Sequence, residues 1–312
     1  MTKLRRAFGR RLVARGGEPN DHTQTGPIGT HLKVLFKSHW GITAWRHHQG
    51  IWTSRRLRKG HGPLRQGTYQ PLSPRQMVKA LLSAKALNRL EVRTALAFIA
   101  GPVLFAIGAG LALVGAGTPN LATALFAIGS VLFTAGGWWQ LQQALLSSRQ
   151  LPSETPRWQW CGLRCAVTQS LGTVLFNINT FYAWGWPHPQ ELSWLLLSVL
   201  PNLLGSSLFL ISAGDGLLEV GHGRLLVFEP HHLGWWIAMV NALGCLWFMQ
   251  SAIAALPNAL PQLTSINSVM ALQTTLLGSL AFAIVGILSL AECSEDEAVV
   301  PPTAHLHSGG GV

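Results

Sequence analysis

Six apolar stretches, at residues 95–116, 120–141, 163–184, 193–217, 234–256 and 266–290, constrain this chain more than any other feature. Each matches the ~20 helical residues that cross a ~30 Å hydrocarbon core, where no water is available and backbone groups must be satisfied within the segment. The expected fold class is an all-α membrane protein with six transmembrane helices. Composition agrees, because 48% hydrophobic and 11% charged residues supply too few charges for the surface of a water-soluble chain of 312 residues.

The charges are segregated as well as sparse. Of 23 Lys and Arg, 19 precede residue 94, against three acids there, Glu18, Asp21 and Glu91. The other four are Arg149, Arg157, Arg164 and Arg224, which flank the connections between stretches two and three and between four and five. Lys and Arg are retained on the cytoplasmic side, so both termini are expected there. Trp138, Trp139, Trp158, Trp160, Trp235 and Trp236 would mark the inner interface, and Trp184, Trp186 and Trp194 the outer one. No cleavable signal peptide is expected, since the first sufficient apolar run begins near residue 95. The expected parts are a basic, Trp- and His-containing cytoplasmic arm at 1–72, largely irregular, and a basic amphipathic juxtamembrane helix at 73–93. The six-helix domain follows at 94–290, and then an acidic, Gly-rich disordered tail at 291–312.

Each stretch contains a glycine, a small residue (proline in the first) and, four residues after the glycine, a phenylalanine. The glycines are Gly101, Gly129, Gly172, Gly205, Gly244 and Gly278; in lipid, small residues let helix backbones approach closely. The spans thus read as three repeated hairpins. Offsets of minus three, zero, plus four and plus seven from the glycine define a seam. In the first hairpin this seam holds only Phe and Gly. In the later spans it gains Gln169, Asn179, Asn202, Ser212, Asn241, Ser251 and Thr275. Alternating helix directions would gather Gln169, Ser212 and Asn241 in the inner half and the other four in the outer half. They read either as hydrogen-bond glue worth ~0.6 kcal/mol each, or as the lining of a polar path, with Asn177, Gln250 and Gln273 as further lining.

No ionisable residue sits at mid-depth, which argues against proton-coupled transport and voltage sensing. At the inner end of span four, Asp215, Glu219 and His222 lie at i, i+4 and i+7 on one helical face, a weak candidate for a cation site, with pairing to Arg224 the simpler reading. His231 and His232 follow in the same loop. Cys161, Cys165, Cys245 and Cys293 read as packing residues. Residues 39–60 interleave Trp40, Trp45 and Trp52 with Arg46, Arg55, Arg56, Arg58 and Lys59. Such a composition could meet nucleic acid, but beside six spans it fits anionic lipid headgroups better. In the 73–93 segment Met77, Ala80, Leu81, Ala84 and Leu87 share one face, as in a helix lying at the interface or extending span one. No phosphate loop, dinucleotide fingerprint or nucleophile elbow is present, so no catalytic or cofactor-binding residues are expected and the chain does not read as an enzyme.

Residues 172–181 (GTVLFNINTF), 201–209 (PNLLGSSLF), 219–223 (EVGHG) and Trp235-Trp236 resemble a family of uncharacterised bacterial integral membrane proteins. The Gly-Ser-x-x-Phe hairpin also resembles the YrhK-like membrane domain. The resemblance implies a bacterial inner-membrane location and brings no established activity. The expected role is a membrane scaffold or sensor whose basic arm engages lipid, a protein partner or a second copy. The alternative is a channel or carrier for a small neutral or weakly charged solute along the polar seam.

Overall fold

A computed structural model describes residues 23–25, 31–38, 41–47, 50–59, 64–65, 84–149, 160–185, 192–230, 232–256 and 264–297. The arm departs from the irregular chain expected of it. Five strands, β1 (Thr23–Thr25), β2 (His31–Ser38), β3 (Gly41–His47), β4 (Gly50–Thr53) and β5 (Leu64–Arg65), form one antiparallel sheet in sequence order. In β2 Leu32, Val34 and Phe36 alternate with other residues at the strand period of two. The β3–β4 hairpin is in register from Ala44 opposite Thr53 to His47 opposite Gly50. A short helix, α1 (Ser54–Arg58), follows β4 directly, and the Thr53 hydroxyl caps it by accepting from the Arg56 amide.

Only 84–93 of the expected juxtamembrane helix is described. Helix α2 (Ala84–Leu87) ends there, and Arg89 is extended before the next helix begins, so the segment is not a continuous extension of it. Six long helices then follow: α3 (Leu90–Leu113), α4 (Pro119–Arg149), α5 (Trp160–Gly185), α6 (Leu192–Val220), α7 (Leu233–Ala254) and α8 (Thr264–Glu297). Helix α6 contains a π-helical turn, Leu195–Val199, immediately before Pro201, whose ring would clash with the carbonyl four residues back in a regular helix. Helix α8 continues through Glu297, into the segment expected to be a disordered tail, with Glu292 and Cys293 buried.

Five of these helices, α3, α4, α6, α7 and α8, are long and apolar enough to cross a membrane. Helix α5 is as long but more polar, and its polar residues Gln169, Thr173 and Thr180 are buried among its neighbours. The outer surface is apolar: Ile128, Leu246, Ile253 and Ile287 are each more than half exposed. Such continuous apolar exposure fits lipid, not water. Trp138, Trp184 and Trp236 are exposed among them, whereas Trp235 is buried and donates its indole N–H to the Val227 carbonyl.

Each long helix packs on its chain neighbours, and α8 returns to pack on α3, which closes a six-membered ring. Neighbours within a hairpin are antiparallel and very close. A Cβ on Gly101 would lie 2.8 Å from the Gly129 carbonyl oxygen, and one on Gly129 equally near that of Gly101. The Gly172/Gly205 and Gly244/Gly278 pairs repeat the contact, with each partner's phenylalanine ring pressed over the glycine.

The six repeat phenylalanines meet on the ring's axis. Phe105, Phe176 and Phe248 form one triangle, with centroids 6.4, 6.3 and 5.5 Å apart. Phe133, Phe209 and Phe282 form a second, at 5.7, 5.4 and 6.1 Å. Contacts at 5.0 Å (Phe176 to Phe209) and 5.2 Å (Phe248 to Phe282) join the two layers. The first triangle comes from α3, α5 and α7 and the second from α4, α6 and α8, so the hairpins are arranged with pseudo-threefold symmetry. Because each phenylalanine follows its glycine by four residues and alternate helices are reversed, the second triangle lies nearer the arm. All six rings are at most 6% exposed, which leaves no open axial path between the two halves of the bundle.

Candidate functional site

The candidate site is the end of the bundle that meets the arm. Helix α1 packs against the arm-side ends of α4, α5 and α6. Its cations point into protein: Arg55, Arg56 and Arg58 are 9%, 6% and 3% exposed. Arg58 donates from Nη2 to Glu219 Oε2 at 2.7 Å, and the Ser54 hydroxyl donates to Glu219 Oε1 at 3.0 Å. Arg55 donates from Nε and Nη2 to both oxygens of Glu292, at 3.3 and 3.2 Å. Lys59 reaches the same carboxylate at 2.8 Å and Ser289 at 3.4 Å. The expectation that these four side chains lie among lipid headgroups is therefore corrected. A buried cation costs several kcal/mol unless it is paired; Glu219 pairs Arg58 and Glu292 pairs Arg55 and Lys59, while Arg56 is buried beside them. Arg46 lies in β3, and its side chain is outside the described residues.

Two glycines make room for this docking. A Cβ on Gly162 would meet Glu219 Oε1 at 2.7 Å and Arg58 Cδ at 2.8 Å, and one on Gly234 would press on Arg55 at 3.2 Å. The electrostatics are matched to the burial. Desolvation works most strongly against the charge on Arg58, but the Glu219 carboxylate, by charge and hydrogen bond, together with weaker contributions that include Glu292, leaves the guanidinium pKa above its usual value. For Lys59, burial and the neighbouring Arg55 charge together outweigh Glu292, and its ammonium sits below the usual lysine value.

Beneath α1 lies a cavity of about 80 Å³. Arg55, Arg58 and Lys59 line it on the arm side, and Phe133 and Phe282 of the nearer aromatic layer on the opposite side. Gln140 and Gln143 of α4, Gln169 of α5, Ser212 of α6 and Asn241 of α7 supply polar walls, and Glu91, bonded at 2.5 Å to Arg89, adds one carboxylate. Ser212 bonds Gln169 at 3.0 Å and the Cys165 carbonyl at 2.9 Å, and the Gln143 amide donates to Thr94.

On the far side of the aromatic layers, polar side chains bond one another across adjacent helices. Ser198 donates to Asn179 at 2.8 Å, and Ser251 and Thr275 share a hydrogen bond at 2.7 Å. Asn177, Ser130, Thr134 and Thr180 form a third group between α4 and α5. Asn202 is half-buried on α6, while Gln250 and Gln273 are exposed on the outer surface and line nothing. Of Asn179, Asn202 and Asn241, only Asn241 borders the cavity beneath the arm.

The three candidate metal ligands do not converge. Asp215 accepts from Arg164 Nε at 2.7 Å, Glu219 is taken by Arg58 and Ser54, and His222 lies beyond the end of α6. His222 adopts a left-handed φ of 53°, between Gly221, where a Cβ would collide with the Arg224 carbonyl, and Gly223 at φ 90°. Burial, reinforced by His232, pushes the His222 imidazole down to about 4, so it is neutral at physiological pH. Arg224, the expected partner, is exposed. Among the described residues no three His, Cys, Asp or Glu side chains are grouped to hold a metal ion. His231, Arg157, Trp158 and Trp186 lie outside the described residues, as do the side chains of Trp45, Trp52 and Trp160.

Sequence reasoning missed the role of Arg55, Arg58 and Lys59 because their partners lie 161 to 237 residues away. One signal was available. Glu219 and Glu292 are carboxylates at the ends of apolar stretches, where an unpaired acid is costly, and the nearest surplus of cations is the arm. No family model, curated protein or solved structure matches this chain.

Proposed function

We propose that this chain is a non-enzymatic, multi-pass protein of a bacterial inner membrane that crosses the bilayer six times, keeps both termini on the cytoplasmic side and works as a sensor or scaffold through its arm. The single observation that carries this reading is the set of buried ion pairs joining α1 to the bundle, Arg58 to Glu219 and Arg55 and Lys59 to Glu292. A latch of this kind has two natural states. Docked, the arm's cations are neutralised by the bundle; released, the same cations become available to anionic lipid or to a partner. The sixth span in this reading is α5, which matches its neighbours in length and closes the ring between α4 and α6.

Topology is tested by single-cysteine labelling of intact cells with a membrane-impermeant reagent. Thr118→Cys, between α3 and α4, should label from outside, and Arg224→Cys only after permeabilisation. The opposite pattern would reverse the orientation, and identical labelling of the two would remove the six-span reading. The sensor or scaffold role is tested by purifying wild type and Glu219→Gln/Glu292→Gln from native membranes. The released variant should carry more anionic lipid or a different set of bound proteins; equal recovery would count against it. A carrier is the second reading, favoured by the polar cavity under α1. It would require the phenylalanine layers to separate.

A further inference from the structure

The cavity beneath α1 has a chemistry that the latch does not use up. Arg58 and Arg55 bond their carboxylates through Nε and Nη2, and a guanidinium carries five N–H donors, so each retains donors on Nη1. Gln169 is 4% exposed. Its Oε1 accepts from the Ser212 hydroxyl at 3.0 Å. Its Nε2 amide group has no hydrogen-bond partner among the described residues. A buried polar end of that kind costs about 1–3 kcal/mol unless water or a ligand meets it. The lining is also biased in charge. Three cations border the space, whereas its one carboxylate, Glu91, is bonded to Arg89, and Glu219 and Glu292 do not border it.

Building on the docked arm, we infer that this cavity binds a small monovalent anion, held by Arg55, Arg58 and Lys59 on the arm side and by the Gln169 and Asn241 amides on the bundle side. The size fits. About 80 Å³ accommodates on the order of five waters at roughly 10–15 Å³ each, the bulk of a nitrate or formate with a water or two. An anion here would complete the neutralisation of Lys59, whose two nearest charges are Arg55 and a carboxylate it must share. It would also tie α1 to α5 and α7 at once, so occupancy and docking reinforce each other. The ligand is thereby the stimulus that a latch-type sensor needs.

The test uses the purified full-length protein in gluconate buffer, with nitrate or formate exchanged for gluconate at constant ionic strength. Thermal stability should rise by a few degrees and saturate, and formamide, formate's neutral counterpart, should have no such effect. Lys59→Met and Gln169→Leu, on opposite sides of the cavity, should each abolish the saturable rise; using two variants guards against misfolding of either. An equal response to formamide, an absent response, or a response undiminished in both variants overturns the anion site. Protease protection of residues 54–59 is read on the same samples. A protected arm with no anion effect rejects this inference alone, and an unprotected arm rejects the latch on which it rests.

Discussion

The two ends of the helical bundle solve the same problem differently. At the far end, polar side chains are paired across adjacent helices, Asn179 with Ser198 and Ser251 with Thr275, and no charge is involved. At the arm end, the polar seam borders a cavity, and carboxylates on α6 and α8 are neutralised by cations from a segment more than 160 residues away. Between them lie two layers of three phenylalanines. The far end is therefore complete within the helices, whereas the arm end needs the arm. Regulation belongs where completion depends on a separate segment, because only there can a modest change in binding alter the packing.

The sharpest way to break this comparison is to remove a carboxylate from the arm end. Glu219→Gln leaves Arg58 buried without its counter-charge and should cost about 3–5 kcal/mol, read by thermal or denaturant unfolding. The Arg58→Glu/Glu219→Arg exchange should recover a substantial part of that loss. Nearly as large is the effect expected at the divider. Phe209→Ala, at a ring with no exposure, should cost about 3–5 kcal/mol, while Phe181→Ala, nearly half exposed on the outer surface, should stay within about 0.5 kcal/mol. If the two were equal, the aromatic layers would not be the core.

Helix contact comes next. Gly129→Ala puts a Cβ 2.8 Å from the Gly101 carbonyl oxygen and should cost about 1–3 kcal/mol, whereas Gly110→Ala, with nothing within 4 Å, should be neutral or stabilise by up to about 1 kcal/mol. At the far end, Ser251→Ala removes its two contacts to α8, with the Thr275 hydroxyl and the Ala271 carbonyl, and should cost about 1 kcal/mol. A pH dependence specific to the arm side tests the comparison without changing its packing. Burial keeps His222 neutral down to about pH 4, while the unfolded chain takes up a proton near 6.5. The unfolded state binds more protons across that window, so stability should fall as pH drops from about 6.5 toward 4 and be flat above it. Melting of wild type and His222→Asn across this range checks the prediction. Asn tolerates the left-handed φ and does not titrate, so its curve should lack the His222 slope.

How much of this was legible in the sequence differs by element and for physical reasons. The long helices were, because hydrocarbon thickness fixes their length and leaves the signal in plain hydropathy; their ends differ from the expected bounds by a few residues, and α4 and α8 run seven or more beyond. The glycine and phenylalanine spacing was legible as a repeat, but not its meeting on one axis in two triangles, which is a property of the closed ring. The sheet is the least legible part, because its period-two signal, Leu32, Val34 and Phe36 with the Gly41 and Gly50 boundaries, is short and lies within a segment dominated by charge and aromatic content. The metal candidate failed because shared helix face does not imply shared ligand: Asp215 and Glu219 each meet a different arginine first. The fate of Arg55, Arg58 and Lys59 was not legible from local pattern, since a solvated cation and a buried paired one have the same neighbours in sequence.

The most direct test of the account is limited trypsin digestion of the intact, purified protein. Residues 54–59 hold four tryptic sites, Arg55, Arg56, Arg58 and Lys59, in the segment that Glu219 and Glu292 hold against the bundle. In wild type these sites should resist cleavage, and in Glu219→Gln/Glu292→Gln they should be cut at least tenfold faster. Cleavage of wild type at the same rate as the variant would contradict the account.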